Sequence, residues 1–318
     1  MSSKQNRMAA SGRILVYLKR KGHDHTPTIA KFTQSVLDCF VEDKSINQSE
    51  VFVELVDNHL IVTDDKLESR HNSIKIRRPS FCPIHNLRKD DIGALPEDIL
   101  NRGIDVGAAV ILESADNKIL LTRRSKSLRT FPGIWVPPGG HVEKDETFIE
   151  AGLRELHEET GLKILPSQCV GGNVQILALW ESVFPPKLTL GLPKRHHVVV
   201  YLYGKLTSDL TSDVLTESIQ LQPEEAEACV WLDRKISQDI VARNEEEKSD
   251  IDFNQLNLPD MLKGLIIRDE DKKQVTSDVP LRPLFNTSSD TSDGERVSTG
   301  TKFALEEWLN KTSKSAAL

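Results

Sequence analysis

Cysteine is scarce. The 318 residues hold four, Cys39, Cys82, Cys169 and Cys229, scattered far apart. That excludes a disulfide scaffold and fits thiols kept reduced in a cytosolic or nuclear protein. Cys82 and His85, in "CPIH", offer half of a zinc site, but no second Cys/His pair at zinc spacing completes it. The segment therefore reads as a turn. Aromatic residues make up only 5% of the chain, and no run approaches the roughly 18 apolar residues of a membrane span. The opening "MSSKQNRMAASG" lacks the apolar centre of a secretory signal. The ending "SKSAAL" departs from the S-K-L peroxisomal address at Ala317. A positive excess is missing too: 41 Lys and Arg face 48 Asp and Glu, a net charge of -7. This argues against a protein that coats nucleic acid, and no DNA partner is expected, although a local basic cleft is compatible with it.

Three regions follow from the patterning. Residues 1–98 read as a small α/β region. "GRILVYLKR" (12–20) has strand character. Ile29, Phe32, Val36 and Phe40 recur at helical spacing and predict a helix over 28–41. "VFVELVDNHLIVTD" (51–64) predicts a hairpin turning at "VDNH". No catalytic motif lies here, which suits a packing or adaptor lobe. Residues 99–245 form the core. Strands over 105–112 and 118–124 make a hairpin around "SADN", and "FPGIWVPPGG" is a loop or edge segment. A helix follows, then strands over 169–184, 196–206 and 228–232. The third region, 246–318, is an extension. Its segment 275–301 is rich in Ser, Thr, Asp, Gly and Pro and reads as flexible, while "KFALEEWL" (302–309) reads as a short docking helix.

The densest charge lies in "GGHVEKDETFIEAGLRELHEETGL", residues 139–162, with seven carboxylates. Thr147 with Glu150 is a capping-box pair that starts a helix, and Gly161 stops it. At about 100° per residue, Ile149, Gly152, Leu153, Leu156 and Thr160 share one face for burial. Glu155, Glu158 and Glu159 share an arc beside it. Arg154 is spaced to pair with Glu150 or Glu158. Like charges this close repel, so their clustering at the rim of a core describes an oxygen site for a hard divalent cation.

This stretch resembles the Nudix box, G-x5-E-x7-R-E-U-x-E-E-x-G-U with U aliphatic. Gly140, Glu146, Arg154, Glu155, Leu156, Glu158, Glu159, Gly161 and Leu162 fill every fixed position. The resemblance covers about residues 100–240 and is closest to mRNA-decapping members of the family. It implies an α+β Nudix fold, a mixed β-sheet sandwiched between helices, beside the small N-terminal region. It also implies a Mg²⁺- or Mn²⁺-dependent pyrophosphohydrolase acting on a nucleoside diphosphate linked to another group. The metal ligands would be Glu155, Glu158, Glu159 and the carbonyl of Gly139. Glu155 would double as base, Arg154 would orient it, and Glu146 would support the loop.

The favoured substrate by this resemblance is 7-methylguanosine-capped RNA, giving 7-methyl-GDP and monophosphorylated RNA. The alternatives are coenzyme A, NAD(H), a sugar nucleotide or a dinucleoside polyphosphate, or a non-catalytic nucleotide-binding scaffold. An extra carboxylate is expected from "QPEEAEACVWL", as Glu224 or Glu225. Arg123, Arg124 and Arg129 are candidate phosphate contacts, though strand alternation forbids Arg123 and Arg124 from facing the cleft together. Trp135 and Trp180 are candidates to stack a base. "PKRHH" (193–197) could meet an RNA backbone. The expected setting is cytoplasmic or nuclear, without a membrane partner.

Overall fold

The apolar run after Ile104 forms the central strand. The computed structural model describes residues 13–22, 26–66, 73–243, 253–287 and 294–315; the opening residues 1–12 and the last three lie outside them. The strands, in chain order, are β1 (Leu15–Lys19), β2 (Thr28–Ile29), β3 (Gln48–Val56), β4 (His59–Thr63), β5 (Ile74–Arg77), β6 (Asp105–Glu113) and β7 (Ile119–Arg124). They continue with β8 (Trp135–Val136), β9 (Gly139–His141), β10 (Gln175–Phe184), β11 (Arg195–Lys205), β12 (Ala226–Leu232), β13 (Met261–Ile267) and β14 (Gln274–Pro280). The helices are α1 (Lys89–Gly93), α2 (Glu97–Leu100), α3 (Phe148–Thr160), α4 (Ser212–Ser218), α5 (Arg234–Val241), α6 (Phe253–Leu256) and α7 (Thr299–Ser315).

One mixed sheet runs β14-β13-β12-β7-β6-β11-β10-β5-β3-β4-β1-β2. Strand β6 is buried on both faces, which explains its unbroken apolar run. Val106, Ala108, Val110 and Leu112 join one core, with Ala151 and Leu156 of α3 above them. Ala109 and Ile111 point the other way, into a core closed by Ile236 and Ile240 of α5 and by Phe303, Leu305 and Trp308 of α7. The sheet is thus sandwiched between helices, as the sequence implies. Gly152 lets α3 approach closely: a Cβ there would lie 2.6 Å from Leu202 and 2.8 Å from Val110.

The β6–β7 hairpin pairs only at its closed end, Glu113 with Ile119. Beyond it the strands part. Strand β8 lines β7, β9 lines β6, and Gly139 comes to rest opposite Ala109. This opening creates the place where chemistry can occur.

The hairpin at 51–64 forms as expected, with Asp57 and Asn58 at the turn, both at positive φ. The helix expected over 28–41 does not form. That segment holds only β2 and a 3-10 turn at Leu37–Cys39. Its backbone N–H groups find a better acceptor: Val36 and Leu37 donate to the Glu181 carboxylate at 2.9 and 3.1 Å. The apolar period there is real but serves burial of Phe32, Val36 and Leu37 in a loop. Of the strand expected over 169–184, the first part is 3-10 turn, and β10 starts at Gln175.

The segment 275–301 is another correction. Its described residues carry β14 and the 3-10 turn Arg282–Phe285, and Leu281, Leu284, Phe285 and Val297 are fully buried. Pairing of β14 with β13, itself paired with β12, ties this polar-looking segment into the sheet. Residues 288–293, in its middle, lie outside the described ones. The docking helix is longer than expected; Trp308 on α7 is fully buried and donates to Glu113 at 2.8 Å.

Strands β3–β5 extend the sheet from β10, and β1 returns to β6 where Leu15 pairs Asp105. Glu181, 0% exposed, fastens this junction. Besides Val36 and Leu37 it accepts from Ser35 Oγ at 3.0 Å and bonds His196 Nε2 at 3.0 Å. Glu181→Ala would leave these groups buried without partners, at a cost of about 3–5 kcal/mol. Urea denaturation measures this; a loss below roughly 1 kcal/mol would show that the junction does not depend on Glu181.

Candidate active site

Helix α3 begins as its sequence dictates. The Thr147 side chain accepts from Glu150 N at 3.2 Å, and Glu150 accepts from Thr147 N at 2.8 Å. Gly161, with φ 72°, ends it in the left-handed conformation. Between these caps, Glu158 is exposed, Glu155 half-buried and Glu159 buried. Glu159 therefore belongs to the buried face rather than to the rim that the helical wheel suggests.

Glu159 is anchored twice: Gly139 N donates to Oε1 at 3.2 Å and Thr122 Oγ1 to Oε2 at 3.1 Å. Burial still pushes its carboxyl up to about 7, against the pull of Gly139, Arg124 and Thr122. Burial also raises Glu155, and Glu158 and Glu225 add to the effect. Thr122 was not anticipated from sequence, although alternation along β7 puts it on the same face as Arg124.

Arg154 holds the cluster in place with all five of its donors. It grips Glu146 through Nε at 2.7 Å and Nη2 at 3.0 Å. Nη1 donates to Glu155 at 3.0 Å and to Glu158 at 2.9 Å, and Nη2 also reaches the His141 carbonyl at 3.0 Å. Glu146 in turn accepts from Glu143 N at 3.1 Å and ties down the loop. Arg154 makes no bond to Glu150, which is spent in the cap.

These residues fit a hard divalent cation. The donor set is all oxygen, and the Glu155 carboxylate lies where a Cβ on Gly140 would come within 2.4 Å of it. Glycine at 140 thus makes the room. Of the loop carboxylates, Glu225 is near enough to raise Glu155, whereas Glu227 accepts from Lys126 N at 2.8 Å and Ser125 Oγ at 3.2 Å. Glu224 is exposed.

A cleft of about 230 Å³ reaches this edge through Gly139, Gly140 and Arg124. Its farther walls include Phe81, Phe131, Trp180 and Tyr201, with Arg296 from the C-terminal region. Arg124 faces the cleft, and its Nη2 donates to Thr130 O at 3.2 Å. Arg123 turns away, toward Glu295 at 3.3 Å, so alternation separates the pair as expected. Three of the expected contact residues lie off the cleft lining. Arg123 is engaged by Glu295, and Arg129 is exposed outside the cleft lining. Trp135 is 0% exposed, its Nε1 bound to Glu295 at 2.8 Å, leaving no ring face for a base. Trp180 does line the cleft. Phe81 and Arg296 come from flanking regions with no motif, so no local signal marks them. In "PKRHH", His196 is buried against Glu181 and His197 lines the cleft.

A box helix capped over an open sheet hairpin, with its glutamates beside the glycines that line a cleft, defines a Nudix hydrolase, and the chain belongs to that family. The NUDIX domain matches residues 103–250. Similarity extends well beyond it. The chain is 43% identical over 298 residues to the m7GpppN-mRNA hydrolase NUDT17 of Danio rerio, covering 93% of this chain and 95% of that protein. It is 40% identical to the same-named protein of Xenopus laevis, covering 95% and 97%. Among solved structures, the MutT protein of Methanosarcina mazei Go1 is 24% identical, covers 44% of this chain and 81% of its own, and has a TM-score of 0.31. Nudix hydrolases use divalent metal ions. No helix among the described residues is long and apolar enough to cross a membrane.

The raised carboxyl of Glu159 has a measurable consequence. Its value in the folded chain exceeds the ordinary 4.5, so the folded chain holds the proton more tightly than the unfolded one. The metal-free protein is therefore expected to lose stability as pH rises from about 4.5 through 7, by on the order of 3 kcal/mol from this group. Glu159→Gln should flatten that slope. Denaturation curves in chelator across this range check it; parallel pH profiles for wild type and variant would contradict it.

Proposed function

We propose that this protein is a Mg²⁺- or Mn²⁺-dependent hydrolase of capped RNA, releasing 7-methyl-GDP and a monophosphorylated RNA. The observation that carries the reading is the near full-length similarity to m7GpppN-mRNA hydrolases, which reaches the flanking regions that wall the cleft. A capped substrate also suits the cleft's chemistry. Trp180, Phe131 and Phe81 offer apolar and aromatic surface to a base, and Arg124 offers a guanidinium to phosphate. Such a substrate places the protein in the cytoplasm or nucleus.

Glu155, Glu158, Glu159 and the carbonyl of Gly139 would hold the cation, and Glu225, near enough to act on Glu155, would add a carboxylate. A cation held there would offset phosphate charge and make the attacking water more acidic. Glu155 is the base. Arg154 Nη1 holds its carboxylate beside Gly140 on the cleft edge, where it can take a proton from the attacking water. Arg154 fixes the Glu155 oxygen that it bonds and keeps Glu158 on the same side. Arg124, among carboxylates, steadies the bridging phosphates.

Glu155→Gln and Glu159→Gln should each lower turnover of capped RNA by at least about 100-fold with the fold intact. Arg123→Gln, outside the cleft, should change it less than roughly threefold. The assay compares capped RNA, free cap dinucleotide, coenzyme A, NADH and ADP-ribose with either metal. Equal product from wild type and Glu159→Gln would sink the site assignment. Turnover of coenzyme A or NADH without capped RNA would sink the substrate. Binding without turnover of anything would mark a scaffold.

A further inference from the structure

A second cluster of ligating side chains lies on another wall of the same cleft. Asp105 begins β6 and stands opposite His197 of β11. His141 ends β9 and stands opposite Gly107 of β6. Paired residues share a face, and Asp105 and Gly107, two apart, share it as well. Three neighbouring strands thus deliver Asp105, His141 and His197 to one spot. Their ligand atoms lie within 4.8 Å of one another. Gly107 carries no side chain into the space between the imidazoles, and a Cβ there would come within 2.9 Å of the Gly140 carbonyl.

The group is arranged for access as well as proximity. His141 is exposed, His197 half-buried and Asp105 buried. Both imidazoles line the cleft. Arg13 donates through Nε at 2.6 Å and through Nη2, both to Oδ1 of Asp105, and neither contact uses Oδ2. The Glu155–Glu159 edge is all oxygen, whereas this group offers two nitrogens and one oxygen. Such a set prefers a borderline ion to Mg²⁺.

We propose that Asp105, His141 and His197 form a second divalent-cation site, separate from the box glutamates and suited to a transition ion such as Zn²⁺ or Co²⁺. Arg13 pairs with Oδ1 of Asp105, and its charge competes with the incoming ion for that carboxylate. An ion there would set a second positive charge on the cleft wall, two residues along β9 from Gly139.

The test uses the full chain carrying Glu155→Gln and Glu159→Gln, which disables the box site. Co²⁺ is titrated in and followed by its visible d–d absorption, whose intensity and position report nitrogen ligation. One equivalent of Co²⁺ should produce the bands in this background. Adding His141→Ala or His197→Ala should abolish them and weaken binding by at least about tenfold. Arg13→Gln should tighten Co²⁺ binding severalfold, a gain that misfolding cannot produce. Bands that vanish with the glutamate variants, bands that survive both histidine variants, or an Arg13→Gln protein that binds no more tightly would each overturn the proposal.

Discussion

Glu159 is a buried carboxylate on a helix that carries two more of the same sign beside it, and much of the site's construction answers to that repulsion. Gly139 and Thr122 hold its oxygens, yet burial keeps the carboxyl near neutrality. Arg154 gathers Glu146, Glu155 and Glu158 around a single guanidinium and offsets part of their charge. What remains is an arrangement that gains most from a small, doubly charged cation. The β6–β7 hairpin parts at one end so that Gly139 and Gly140 can lie against this cluster. Gly152 lets α3 sit close enough to the sheet to keep it there.

The site's surroundings come from all three parts of the chain. Phe81 precedes the core, Trp180 and Tyr201 stand on its central strands, and Arg296 follows it. Residues 295–298 run beside β8: Trp135 N donates to Arg296 O at 2.8 Å and Ser298 N to Trp135 O at 3.1 Å. The C-terminal segment is therefore built into the wall next to the glycine loop. The Glu181 junction, on the same cleft, fixes the segment that carries Val36 and Leu37 to β10. The box residues carry the chemistry, and these flanking contacts shape what can reach it.

Local signals made the box helix legible. Thr147, Glu150 and Gly161 mark its ends by capping chemistry that needs no tertiary partner, and the alternating or unbroken apolar runs of β6, β7 and β11 survive in the fold. Where tertiary contacts overrode local pattern, the sequence misled. Phe32 and Val36 have helical spacing, but Glu181 captures the backbone that a helix would need. Segment 275–301 looks polar throughout, yet a few residues such as Leu284, Phe285 and Val297 suffice to anchor it. Trp135 resembled a stacking platform because nothing local reveals Glu295, 160 positions later, as its partner. Arg123 and Arg124 show the reverse: strand alternation separated their roles, although it could not say which of them faces the cleft.

Glu155, Glu158 and Glu159 form the proposed cation site, shaped by burial and by Arg154. Its most direct measurement is Mn²⁺ binding to the metal-free chain, followed by loss of the free-ion electron paramagnetic resonance signal. Wild type should bind an equivalent that Glu159→Gln and Glu155→Gln weaken by more than the roughly tenfold expected from losing a supporting group. Arg123→Gln should leave that binding unchanged. Equal Mn²⁺ affinity in wild type and Glu159→Gln would contradict the account.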